Sequence, residues 1–310
     1  RLSLIEFHLR NNDSKAALAA AQNALAAIPD KPELLDALGR TQQIAGDSNQ
    51  ALATYTKLAA LQPTSPTAAM RMAEIQLANK NKEEGAKSFR RALEIKPDLL
   101  EAQRGLIMLA MDGKKPEDAL VLARNIQKQR PKEAVGFVLE GDVFASGKQW
   151  PEAISAYRTG LKQIPAPELA IKTHTALLAS GNTAEADKAA AAWTKEHPKD
   201  IAFRMYLGDI ATARSDYPVA AQYYRHALEL QPNNALVLNN LAWVSGQLKL
   251  PKAIEYAEKA NQLMPNQPPF MDTLAMLLAD KGDAAQAIEL LRKALSISPQ
   301  ATAIQLNLAK

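Results

Sequence analysis

IAFRMYLGDIATARSDYPVAAQYYRHALELQPNN, residues 201–234, is the stretch that decides the fold. Its Pro232 is one rung of a ladder: Pro29, Pro63, Pro97, Pro131, Pro165, Pro198, Pro232, Pro265 and Pro299 recur at intervals of 34, 34, 34, 34, 33, 34, 33 and 34 residues. Half of the 18 prolines in the 310-residue chain are therefore one structural event repeated. A fixed period near 34 that closes on proline is the signature of stacked helical hairpins.

Counting back from each proline fills in the unit. Twelve residues upstream stand Ala17, Ala51, Gly85, Ala119, Ala153, Ala186, Ala220, Ala253 and Ala287, all small. Smallness at every recurrence implies that two helices approach closely there. Eight upstream come Ala21, Tyr55, Phe89, Ala123, Tyr157, Ala190, Tyr224, Ala257 and Leu291, and five upstream the residue is again often small, as at Ala24, Ala92, Gly160, Ala227, Ala260 and Ala294. Spacings of four and three put these sites on one stripe of a trailing helix. A leading helix precedes it, marked by Leu38-Gly39, Met72-Ala73, Leu207-Gly208, Leu241-Ala242 and Leu274-Ala275. Gly46-Asp47, Gly147-Lys148, Gly181-Asn182 and Gly282-Asp283 mark the turns between the two helices, where glycine supplies a left-handed exit.

The order small, bulky, small, proline, together with the Leu-Gly or Leu-Ala of the leading helix, resembles the tetratricopeptide repeat over nearly the whole chain. The resemblance implies an all-α fold, an α-α superhelix or solenoid of about nine helix-turn-helix repeats. Full units are expected at 32–65, 66–99, 100–133, 134–167, 168–200, 201–234, 235–267 and 268–301, with partial units at 1–31 and 302–310, in one continuous solenoid spanning 1–310. A solenoid ordinarily carries polar caps, and this one stops within a hairpin, so the chain is expected to be a piece of a longer protein whose targeting signals lie outside it.

Composition sets limits. With 47% apolar and only 5% aromatic residues, the core is built from Ala and Leu, which suits closely packed helices. No apolar run approaches the ~20 residues that cross a bilayer. The 37 basic and 33 acidic residues are evenly mixed, and clusters such as Arg90-Arg91 and Lys114-Lys115 read as solvated helix surface, so nucleic acid is not an expected partner. There is no cysteine, and His8, His174, His197 and His226 are scattered without metal-ligand spacing. No phosphate loop or nucleophile motif is visible, and Glu83-Glu84 read as surface. Neither cofactor, metal nor catalytic residue is expected.

Function is expected in the groove, which in this family is lined by the leading helices. Projecting the register gives Asp36, Arg40, Met70, Glu74, Arg104, Met108, Met111, Val138, Asp142, Lys172, Met205, Asp209, Asn239, Trp243, Asp272 and Met276. Methionine is flexible and polarizable, so a groove carrying several could hold a peptide, or the same side chains could fill gaps between helices. Trp243 is the sharpest anchor candidate, with packing as its alternative. Trp193, in a slot that is normally small beside the alanine run at 189–192, reads as core. Trp150 stands in an interhelix turn. Relatives that clamp a terminal carboxylate place Lys and Asn on one leading helix, Asn on the next, and Lys and Arg on the third; here Lys172 is followed one turn later by Ala176 rather than Asn, and Asn240 by Pro269 and Thr273 where cations would be needed, so that clamp is not expected. The acidic sites Asp36, Glu74, Asp142, Asp209 and Asp272 favour a cationic or neutral partner.

Residues 235–299 also resemble the C-terminal region of bacterial tetratricopeptide proteins of the PEP-CTERM and exosortase sorting system, although Lys249-Leu250 replaces the usual Gly-Asp and Ala275-Met276 a typical Gly-Trp. That resemblance implies a periplasmic or outer-membrane-anchored scaffold linked to exopolysaccharide assembly, with a cytoplasmic location as the alternative. The function expected is a non-catalytic scaffold that binds protein or peptide segments. The alternative is the substrate-recognition arm of an enzyme such as a glycosyltransferase, with its catalytic domain outside the segment. The two short ladder intervals, ending at Pro198 and Pro265, predict irregular hairpins at 168–200 and 235–267.

Overall fold

A computed structural model describes residues 1–309. Among them are nineteen α-helices and no strand, packed in consecutive pairs, the all-α stack of hairpins that the ladder predicts. The helices group into two compact units. Unit 1, Arg1–Pro165, holds α1 (Leu2–Arg10), α2 (Ser14–Ala27), α3 (Pro32–Ile44), α4 (Ser48–Leu61), α5 (Thr67–Ala78), α6 (Lys82–Ile95), α7 (Leu100–Asp112), α8 (Pro116–Gln129), α9 (Val135–Ser146) and α10 (Trp150–Gln163). Unit 2, from Ala166 onward, holds α11 (Pro167–Ala179), α12 (Thr183–Glu196), α13 (Ile201–Ala213), α14 (Tyr217–Leu230), α15 (Ala235–Gln247), α16 (Ala253–Leu263), α17 (Pro268–Lys281), α18 (Ala284–Ile297) and α19 (Thr302–Leu308). Odd-numbered helices lead and even-numbered ones trail.

The proline ladder acts on the residue before each proline. Ile28, Gln62, Lys96, Arg130, Ile164, His197, Gln231, Met264 and Ser298 each cap a trailing helix, with φ between −136° and −121° and ψ between 60° and 102°. Proline's ring excludes the helical region for its predecessor, so the helix stops there and the chain turns toward the next hairpin.

A second ladder lies inside the hairpins. Asn12, Gly46, Lys80, Lys114, Lys148, Gly181, Ser215, Lys249 and Gly282 each stand at positive φ, one per hairpin. Three of these nine are glycine; at Gly147-Lys148 the left-handed residue is the lysine, and Gly147 has a φ of −85°. Comparing the two ladders locates the missing residues. From Pro165 to Gly181 there are 16 steps where other units have 17, so the first omission falls at the entry to α11. From Lys249 to Pro265 there are again 16, and α16 has only 11 residues where every other trailing helix has 14. One omission is therefore in a linker and the other in the first turn of α16, and neither falls in α12 or α15, the helices that carry Trp193 and Trp243.

The hairpins close through one crossing where volume is traded. Gly39 of α3 lies under Tyr55 of α4, Gly141 of α9 under Tyr157 of α10, and Gly208 of α13 under Tyr224 of α14; a Cβ on Gly39 or Gly208 would come within 2.5 Å of the facing ring. Ala73 and Phe89 share one core cluster, as do Ala275 and Leu291. In two hairpins the order reverses: Ile5 faces the cluster that contains Ala21, and Ile107 that of Ala123. His174 is buried at the same level of α11, with Ala190 in α12. The hairpin of α15 and α16 is small on both sides, Ala242 and Ala257, and there Tyr256 packs against the cluster from the neighbouring position.

Leading helices approach their successors more closely than trailing helices do: α1 packs on α3, α11 on α13, α15 on α17 and α17 on α19. In unit 2, which holds three of these pairs, the leading-helix side is accordingly the inner one.

The crossing predicts strong coupling. In α3 and α4, Gly39→Ile overpacks Tyr55, at a cost of about 1–3 kcal/mol, and Tyr55→Ala leaves a cavity worth about 3–5 kcal/mol. The double variant rebuilds the native Ile107 and Ala123 arrangement, so its loss in chemical denaturation should fall below the sum of the singles by about 1 kcal/mol or more. Additive losses would show that the two side chains do not compete for one volume.

Candidate functional site

Three of the residues projected into the groove meet in unit 2. Asp209 on α13 and Asn239 and Trp243 on α15 line one cavity of about 330 Å³, together with Thr212, Ala213, Tyr224, Asn240, Val244 and Thr273. Asn239 and Trp243 are four apart on α15, so one helix face presents both. The Trp243 indole is 38% exposed and meets Tyr217 edge to face, with ring centroids 5.6 Å apart. Its packing partner is thus an aromatic at the start of α14, and much of the ring remains on the surface.

The polar groups of this cavity are unevenly satisfied. The Tyr224 hydroxyl donates to Asp209 Oδ1 at 2.7 Å and Asn240 Nδ2 to the same oxygen at 3.3 Å. Burial, helped by that carboxylate, pushes the Tyr224 hydroxyl up from the ordinary phenol range, so it remains a donor. The Thr212 hydroxyl donates to the Gly208 carbonyl at 2.8 Å and that of Thr273 to the Pro269 carbonyl at 3.1 Å. By contrast Asn239, only 9% exposed, has a buried Oδ1 that no protein group meets. A buried acceptor without a donor costs about 1–3 kcal/mol, and here it belongs to a residue that lines the cavity.

The other projected residues are placed differently. Met70, Met111 and Met205 pack against the cores of their hairpins, so they fill gaps. Val138 is buried in the core of α9. Met108, 54% exposed, and Arg104 stand on one face of α7 in unit 1; Met276 is half-buried on α17. The acidic positions mostly tie one element to another. Asp36 pairs with Arg71 at 3.4 Å, and Arg71 with Glu74 at 3.1 Å; Arg40 reaches Glu6 at 3.3 Å. Asp142 accepts from the Tyr157 hydroxyl at 2.6 Å, and Asp272 from Asn307 Nδ2 at 3.0 Å. Lys172 is half-buried on α11. The acidic stripe is therefore largely consumed in joining leading helices to each other and to the tyrosines behind them.

Unit 2 also holds a cluster that sequence reasoning treated as scattered residues. His174 Nδ1 lies 2.8 Å from the Tyr206 hydroxyl, which is 2.9 Å from Thr175 Oγ1, and the imidazole meets the Tyr206 and Phe203 rings edge-on. Trp193, buried as its slot predicts, donates from Nε1 to Asp200 Oδ2 at 2.7 Å, while Asp200 Oδ1 caps α13 through the Phe203 N–H. Desolvation holds the His174 imidazole below its ordinary value, with Arg214 adding to the effect and Asp187 opposing it.

These observations define a helical-repeat scaffold whose inner side carries one aromatic, acceptor-rich cavity. Tetratricopeptide-repeat models match residues 37–99 and 175–235, and a second such model residues 269–300, about half of the chain in all; the chain belongs to the tetratricopeptide-repeat family. No curated protein matches it. Among solved structures it is similar to the APC/C hetero-tetramer Cut9-Hcn1, at 18% identity and a TM-score of 0.49 over 97% of this chain and 59% of that one. It is also similar to MamA, at 21% identity and a TM-score of 0.44 over 53% of this chain and 96% of that one. The chain thus spans about three-fifths of the first of these structures.

His174 sets a pH dependence. Its folded-state value lies below the unfolded one, so above about pH 6.5 both states are neutral there, and below it the unfolded chain takes up a proton that the folded chain resists. Stability should therefore fall as pH drops from 7 to 5. In His174→Gln, thermal melts across that range should show a smaller drop; an identical drop would assign the sensitivity to other groups.

Proposed function

We propose that the chain is a non-catalytic scaffold that holds a segment of a partner protein against the leading helices of unit 2, with Trp243 as its anchor. The observation that carries this reading is the half-open indole at a cavity of about 330 Å³ lined also by Asp209 and by Asn239, a residue with an unpartnered buried oxygen. Exposed aromatics flanked by orientable polar groups are the usual anchors of interfaces. Family membership supports a protein or peptide partner over nucleic acid, and the mixed surface charge agrees. Affinity capture from the native cell, comparing wild type with Trp243→Ala, should show specific partners lost about tenfold or more. The variant should stay folded, losing about 1 kcal/mol of ring contact with Tyr217 together with the partial burial of the indole. Undiminished capture by a destabilised variant would assign Trp243 to packing.

The setting we propose is the bacterial envelope, in protein sorting or exopolysaccharide assembly. It rests on the resemblance of residues 235–299 to that family's C-terminal region. Fractionation of the native cell should recover the protein with the envelope; recovery only in the cytosol would remove the setting and leave the scaffold intact.

A further inference from the structure

The cavity at Trp243 has a chemical bias that narrows its occupant. Around it the hydroxyls of Tyr224, Thr212 and Thr273 already donate within the protein, and Asn240 Nδ2 donates to Asp209. Two acceptors are left over. Asn239 Oδ1 is buried without a donor, and Asp209, which takes both of its hydrogen bonds on Oδ1, has Oδ2 unengaged among the described residues. Among the described residues Asp209 is also the only charged one in the wall, and none of the lining residues is lysine, arginine or histidine. The remaining walls are apolar or aromatic: Ala213, Val244 and the exposed part of the Trp243 indole.

From this inventory we infer that the cavity receives a lysine or arginine side chain from the bound segment, which deepens the scaffold reading above and rests on it. An occupant must bring N–H donors, because the unused groups only accept. It should carry positive charge, because the one uncompensated charge is a carboxylate. It should carry an apolar stem, because the walls beside the carboxylate, Ala213, Val244 and the indole, are apolar. A cationic head on a methylene stem combines the three, and its charge can lie over the indole face, where the ring quadrupole attracts cations. A carboxylate-bearing side chain would meet the Asp209 carboxylate with no cation in the wall to offset the repulsion, and a purely aliphatic one would leave that carboxylate uncompensated. Asp36 and Glu74 are each paired with Arg71, whereas the donors that meet Asp209, Tyr224 and Asn240, are neutral and leave its charge uncompensated.

The test is selection of a random dodecapeptide display library on the whole chain, with Trp243→Ala and Asp209→Asn as counter-screens, each first shown to be folded. Asp209→Asn keeps an oxygen for Tyr224 and removes the charge. The expected result is a set of peptides sharing one lysine or arginine, whose synthetic forms bind about tenfold more weakly to Asp209→Asn and lose further affinity when that residue becomes norleucine. Peptides that depend on Trp243 but share no cation, or whose cation is indifferent to Asp209→Asn, would overturn the inference and leave the scaffold reading standing. Enriched peptides that bind Trp243→Ala as well as wild type, or no enrichment over a blank surface, would overturn both.

Discussion

Everything in this molecule depends on how near the two helices of a hairpin can come at a single crossing. The distance is set by the sum of two side chains, so a large residue on one helix requires a small one on the other. Gly39 with Tyr55, Gly141 with Tyr157 and Gly208 with Tyr224 satisfy the requirement in one sense, and Ile107 with Ala123 in the other. Because interiors are packed to crystalline density, neither member can change alone without strain or a void. Conserving the sum while exchanging its parts keeps successive hairpins in register for stacking.

The same tyrosines connect this packing to the candidate site. A ring that lies over glycine extends its hydroxyl beyond the leading helix to the inner side, where Tyr157 finds Asp142 and Tyr224 finds Asp209. The core thereby fixes the orientation of inner-side carboxylates. At Asp209, which lines the Trp243 cavity, both bonds fall on one carboxylate oxygen, so recognition chemistry is held in place by a residue whose first duty is to fill a crossing.

The fold was legible because repetition multiplies weak signals. One proline or one small residue says little, but nine of each at one period leave few alternatives to stacked hairpins, and the pre-proline caps show the stereochemical cause. The site was legible in part. Asp209, Asn239 and Trp243 could be projected because they share a register, yet the same projection included Met205 and Val138, which face the core. A helical register gives an angle around an axis; whether a side chain at that angle meets solvent depends on how the next hairpin tilts, and that is decided by tertiary packing. The role of Tyr224 and the clustering of His174 with Tyr206 escaped for a related reason: those partners are 15 to 32 residues apart, in different helices. One hint was present, since His174 occupies the level where most hairpins have Gly or Ala, opposite an alanine where several have an aromatic.

The left-handed residues at the hairpin tips have a consequence for how stability is distributed along the chain. Six of the nine carry side chains, four of them lysine, in a conformation that costs an L-residue about 1–2 kcal/mol. Glycine would relieve most of that cost, and three hairpins use it. The chain therefore holds an unclaimed reserve of several kcal/mol in its solvent-facing tips, while at the helix crossings almost nothing is left loose. Sequence drift at the tips would be forgiven one residue at a time, and at the crossings only in pairs.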